Sequence, residues 1–113
     1  WNRQLDRGGQ TAEERAEDRK RLWAAIGDSL PQPADDDPAP VVDRAIAFLT
    51  QTPCPLLIVP MEDLAALVEQ PNLPGTVDEH PNWRRRLPAP VDELLRREDV
   101  ARRIALLNAE RGA

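Results

Sequence analysis

Leu56-Leu57-Ile58-Val59 is a continuous apolar run closed at both ends by proline, Pro55 and Pro60. Such a run is the pattern of a strand buried on both faces inside a parallel sheet. Nothing else in the 113 residues reads as a strand to pair with it. A buried strand without sheet neighbours leaves backbone donors and acceptors unpaired, which costs free energy. The sequence therefore predicts a strand whose ladder comes from outside. A missing upstream portion of the same protein is the favoured source, and pairing with another copy of the chain is the other. The first residue is Trp1 rather than methionine, which fits an N-terminus further upstream, although tag removal or natural processing would give the same start.

Helices are expected around this run. Thr11 and Glu14 have capping-box spacing and open a helix to Ile26, with Gly27 placed to end it in a left-handed conformation. Its apolar face is thin: Ala16, Leu22, Trp23 and Ile26 carry the packing, and the charge run from Glu13 to Arg21 reads as a solvated face. Pro31 to Pro40 holds four prolines and three consecutive aspartates, the composition of an extended connector. From Pro40, the residues Val42, Ala45, Ile46 and Leu49 follow helical spacing, Val41 and Phe48 widen the stripe, and Pro53 stops it. After the apolar run, Met61, Leu64, Ala65 and Val68 share the face of a third helix. Helix, buried strand and helix in that order form half of a β/α repeat array. Val91, Leu94 and Leu95 give a short helix, and Val100, Ile104 and Leu107 a longer one opened near Asp99. The chain thus reads as one domain: residues 1–30 a helix region, 31–40 a connector, 41–69 helix–strand–helix, 70–90 a loop and 91–113 closing helices.

Composition excludes more than it identifies. An apolar fraction of 41% and a charged fraction of 31% are ordinary for a globular protein, and no apolar run approaches the roughly 18 residues of a membrane helix. The net charge of −5 argues against nucleic acid as a partner. The single cysteine, Cys54, cannot form an intramolecular disulfide and is expected to be a buried structural thiol. No secretory signal pattern is present, and the expected setting is the cytoplasm. His80 is the only histidine, with no second histidine or cysteine near it, so neither a zinc site nor a Ser-His-Asp arrangement can be drawn. No metal or organic cofactor is expected. Gly8-Gly9 lacks the context of a phosphate-binding loop.

The loop carries the candidate chemistry. It runs from about Gln70 to Pro90 with five prolines and no sustained periodicity, longer than the roughly 12–15 residues of a passive connection. Asn72, Pro74, Gly75 and Thr76 form a sharp turn in which glycine allows a positive φ or close approach to a ligand; an ordinary Pro-Gly turn is the bland alternative. Asn82 and Trp83 supply an amide that both donates and accepts and an indole with an apolar face, as a sugar site needs; a packing tryptophan is the alternative. Glu62 and Asp63 follow the apolar run and fit either the active face of a barrel or plain helix capping, with capping favoured. Asp78 and Glu79 read as solvated carboxylates, His80 as a structural residue, and Arg84 to Arg86 as partners for loop carboxylates or for a preceding barrel.

From Ile58-Val-Pro-Met-Glu-Asp-Leu through Asn72-Leu-Pro-Gly-Thr and Asn82-Trp-Arg-Arg-Arg to Leu87, the sequence resembles the C-terminal part of 4-alpha-glucanotransferases, the amylomaltase or disproportionating-enzyme family, glycoside hydrolase family 77. A weaker likeness extends back to Trp1. The resemblance implies a chain that is α/β by origin, contributing the last strand, a loop at the catalytic face and the closing helices of a (β/α)8 barrel. In isolation such a chain should be mostly α-helical with one short strand. Members of the family cut α-1,4-glucans by a retaining double displacement and transfer the glycosyl unit to another sugar. Their three catalytic carboxylates lie on earlier parts of the barrel, so the resemblance assigns none here and implies that the chain alone is inactive. It implies a sugar-binding site in which Asn72, Pro74 and Gly75 form the turn bordering the cleft, Asn82 with Trp83 its supporting or contacting wall, and Asp63 a residue that touches sugar or holds the loop, with maltooligosaccharide as ligand and the missing barrel portion as partner.

Two other readings remain. One is a helical self-association or protein-interaction module that pairs through Leu56–Val59. The other is a small carbohydrate-binding domain, which an aromatic content of 4% disfavours.

Overall fold

The structure, a computed structural model, describes residues 11–112. Trp1 and Gly8-Gly9 lie outside the described residues. Five helices follow one another: α1 (Ala12–Ile26), α2 (Ala39–Thr50), α3 (Met61–Leu64), α4 (Val91–Arg96) and α5 (Glu98–Arg111). No strand forms among the described residues.

α1 begins as its sequence dictates. The Thr11 hydroxyl accepts from the Glu14 N–H at 3.1 Å, and the Glu14 carboxylate accepts from the Thr11 N–H at 2.7 Å, a reciprocal box that satisfies two otherwise unpaired donors. Trp23 and Ile26 are its buried residues, whereas Ala16 and Leu22 stay exposed. The helix ends at Gly27, but that residue is right-handed, with φ −73°, and the left-handed positions are Asp28 and Ser29. Glycine is needed at 27 for space: a Cβ there would lie 2.6 Å from the Trp23 carbonyl oxygen and 2.7 Å from its indole. The indole N–H in turn donates to the Leu30 carbonyl at 2.9 Å, folding the chain back beneath α1.

α2 and α5 form the main packed pair, with the single turn of α3 packed against α5. Ile46, Leu64, Ala65 and Val100 are the buried centre, and Val42, Val59, Met61, Leu67, Ile104, Leu106 and Leu107 pack around it. Phe48 and Leu49 face solvent, so the buried stripe of α2 is narrower than its sequence implies. α3 is a single turn: Ala66 takes a positive φ of 52°, the helix does not reach Val68, and that side chain is exposed. α5 opens at Arg97, with Asp99 in its first turn. The radius of gyration, 15.7 Å, exceeds the about 13 Å of a compact domain of this length.

The expected strand is not formed. Leu56 and Ile58 are 70% and 77% exposed, Leu57 is half-buried and Val59 packs on the core, which is the alternation of a strand with one face covered. No described residue hydrogen-bonds to the backbone of residues 56–59, so a ladder has nothing to pair with, and Pro55 and Pro60 remove donors on either side. Cys54 is exposed, not buried, because the irregular segment around it lies on the surface.

The helix ends are held by arginines from elsewhere in the chain. None of α1, α2 or α3 has a basic residue in its last turn, yet the last carbonyls of a helix need donors. Arg44 on α2 donates to the Ile26 carbonyl at 2.8 Å. Arg111 on α5 donates to the carbonyls of Thr50 at 3.0 Å, Thr52 at 2.6 Å and Cys54 at 2.6 Å. Arg103, only 1% exposed, donates to the Leu64 carbonyl at 2.5 Å while pairing with Asp43 at 2.6 Å and Asp99 at 3.2 Å. Its second terminal nitrogen is buried with no hydrogen-bond partner among the described residues. Arg97 grips Asp99 in a fork of 2.6 and 3.0 Å, and these hydrogen bonds hold the Asp99 carboxyl below its usual range.

Two outcomes follow for stability. Arg103→Ala strands the buried Leu64 carbonyl while Asp43 keeps Arg102 and Asp99 keeps Arg97, and should lower the unfolding free energy by about 1–3 kcal/mol in a urea titration followed by circular dichroism. Because Asp99 has a folded pKa depressed below its unfolded value, its contribution is complete above the unfolded carboxylate range and is lost as pH falls through the folded value. Denaturation midpoints should therefore drop below about pH 4, and Asp99→Asn should flatten that part of the profile.

Candidate functional site

Five prolines keep the backbone between Gln70 and Pro90 out of helix or ladder, so it must satisfy its polar groups within itself. Leu73 and His80 anchor it as its two buried side chains. The His80 Nε2 lies 2.9 Å from the Gln70 carbonyl, joining the two arms of the loop at its base, and the ring is 1% exposed. The sequence expectation of a structural histidine agrees with this placement.

One arm turns at Pro74-Gly75. Gly75 has a φ of 81°, and a Cβ built there would meet nothing within 4 Å, so glycine is required for its backbone conformation and not for close packing. The Thr76 N–H and hydroxyl both donate to the Leu73 carbonyl, at 3.2 and 2.6 Å, closing the turn.

The other arm supplies the clasp. The Asn82 side-chain oxygen accepts from the Leu73 N–H at 2.8 Å, and its nitrogen donates to the Thr76 carbonyl at 3.1 Å and to the Thr76 hydroxyl oxygen at 2.9 Å. Both ends of the amide are thus engaged with the turn. Next to it, Trp83 has a φ of 58°, a left-handed conformation that a bulky residue adopts at a cost of about 1–2 kcal/mol. Its N–H donates to the Pro71 carbonyl at 2.8 Å, which fixes that conformation. The indole is 75% exposed. Residues nine or more apart in sequence are therefore locked into one unit with an outward-facing aromatic ring.

Of the candidate residues, Asn72, Pro74, Gly75, Asn82 and Trp83 come together in this unit. The Asn72 amide is half-buried and makes no hydrogen bond to a described residue. Asp63 lies apart, exposed in the single turn of α3, with no hydrogen bond from its carboxylate to the loop and no side-chain cap on the helix. Its neighbour Glu62 lines a cleft of about 400 Å³ with Leu67, Glu69, Arg85 and Arg86. Arg85 closes an ion pair with Glu69, the residue just before the loop, and so ties the second arm to the segment that follows α3. Two features escape a reading of the sequence: the burial of Leu73, and Thr76 as the partner of Asn82. The signal for the second is a threonine one residue beyond a Pro-Gly turn, whose hydroxyl can both close the turn and accept from across the loop.

Among the described residues no group of three or more acidic, histidine or cysteine side chains could hold a metal, and no helix is long and apolar enough to cross a membrane. No curated protein and no solved structure matches the chain. The family model described as 4-alpha-glucanotransferase matches residues 1–92. That span includes the Leu56–Val59 run and the whole clasped loop, and the chain accordingly belongs to the 4-alpha-glucanotransferase family.

Proposed function

We propose that this chain is the C-terminal part of a 4-alpha-glucanotransferase that moves α-1,4-glucan segments between maltooligosaccharides by a retaining double displacement. In this reading, residues 56–59 complete the sheet of a (β/α)8 barrel and the loop of residues 70–90 borders the glucan cleft at its active face. The observation that carries it is the clasped loop. It holds an exposed indole and an amide with unused donors and acceptors on a rigid frame, and a pyranose needs an apolar face against its C–H side and polar groups for its hydroxyls. Trp83 would supply the first, and Asn72 with the Pro74-Gly75 backbone the second. Asp63, at the end of the run, would face the same cleft.

The chemistry itself requires carboxylates that act as acid and nucleophile across the scissile bond. The candidate residues here include no such pair, so the chain contributes a wall of the site and leaves catalysis to carboxylates elsewhere in the barrel. Its setting would be the cytoplasm, with the barrel portion as its partner.

A second reading is favoured by one observation. The exposed Leu56 and Ile58 and the unbonded backbone between Pro55 and Pro60 also suit pairing between two copies. Sedimentation separates the two: a monomer rejects self-association, and a dimer dispersed by Ile58→Asp supports it.

The glucan reading is tested on the chain by thermal melting. For a Kd of about 1 mM, maltoheptaose at about 10 mM should stabilise the folded chain by about 1.4 kcal/mol, a rise of about 5 °C or more in Tm. Trp83→Ala should remove the rise without lowering the Tm of the unliganded chain, because the indole packs on little. A chain whose Tm is indifferent to maltoheptaose rejects the loop as a glucan wall. Incubation with maltotriose should yield neither glucose nor longer oligosaccharides.

A further inference from the structure

Asn82 sits beside the exposed Trp83 and has the chemistry to bind a sugar hydroxyl, yet its geometry gives it another task. We propose that Asn82 is a positioning residue that holds the loop in the form in which Trp83 meets the glucan, and that it makes no sugar contact of its own; the proposal rests on the glucan reading above. Three observations converge on it. The Asn82 oxygen already accepts from the Leu73 N–H, and its nitrogen already donates to both oxygens of Thr76. The side chain is half-buried between the two arms, whereas the indole beside it is 75% exposed. Trp83 stands in a left-handed conformation that an unconstrained tryptophan avoids, so something must hold it there.

The restraint works through two connected links. The Asn82 side chain fixes the turn of residues 73–76 against the second arm, and that places the Pro71 carbonyl where the Trp83 N–H reaches it at 2.8 Å. Removing the amide frees the Leu73 N–H and the Thr76 carbonyl together, and Trp83 can then relax to a negative φ that turns its ring away. An indole held in advance loses less conformational freedom on binding than one that must be ordered by the ligand. Asparagine suits the position because it alone among short side chains offers an acceptor and two donors on one planar group.

The variants Asn82→Ala and Thr76→Ala and their double mutant, titrated with maltoheptaose, test the assignment, with amide hydrogen exchange as a readout that needs no sugar. Each single change should weaken binding about tenfold, and the double mutant should be no weaker than Asn82→Ala, because both act on one clasp. Exchange at the Leu73 and Trp83 amides should rise at least tenfold in Asn82→Ala while the amides of Val100 and Ile104 on α5 are unchanged, separating a local clasp from a general loss of fold. Losses that add in the double mutant would assign Asn82 a contact of its own and overturn the proposal. So would unchanged exchange at Leu73 and Trp83, whatever the sugar does. A parent chain that ignores maltoheptaose while Asn82→Ala raises loop exchange overturns instead the glucan reading on which the proposal stands.

Discussion

The fold depends on guanidinium groups reaching carbonyl oxygens that helices leave unpaired. α1, α2 and α3 end without a basic residue of their own, and the donors come from Arg44, Arg111, Arg103 and Arg97. Arg103 does most. Its planar fork joins α2 through Asp43, the end of α3 through the Leu64 carbonyl and its own helix through Asp99. The apolar centre around Ile46, Leu64, Ala65 and Val100 is small, and these polar ties hold the helices in the arrangement that lets it close.

The same arrangement exposes what the described chain cannot satisfy by itself. Leu57 and Val59 turn towards the helices while Leu56 and Ile58 face solvent, so the run from Pro55 to Pro60 is half-covered. The clasped loop begins a short distance beyond α3, on the far side of that run in sequence. The family match spans both features, the run and the loop.

Local chemistry made parts of this legible in the sequence. The Thr11–Glu14 box, the stop of α2 before Pro53 and the left-handed Gly75 each depend on residues within a few positions of one another, so spacing alone identifies them. Met61, Leu64, Ala65 and Val68 have the periodicity of a longer helix, but Ala66 turns left-handed and ends α3 after one turn. The strand follows from a local apolar run between prolines, and a run without a ladder partner among the described residues stays extended and unpaired. The arginine ties and the Asn82–Thr76 bond were invisible for a different reason: nothing in the pattern of a surface-looking arginine or a loop asparagine says which distant oxygen it will meet. The loop residues could be named as candidates, while their division into a clasp and an exposed ring required coordinates.

The arginine ties also set an order of events during synthesis. Arg103 and Asp43 are 60 residues apart, and Arg111 meets carbonyls 57 to 62 residues before it. At about 5–20 residues per second, translation separates the end of α2 from Arg111, its donor, by roughly 3–12 s. During that interval α2 and the apolar run after it leave the ribosome with their carbonyls facing water and no opposite wall. For those seconds the inward side of the run, Leu57 and Val59, is as open to water as Leu56 and Ile58 remain in the folded chain.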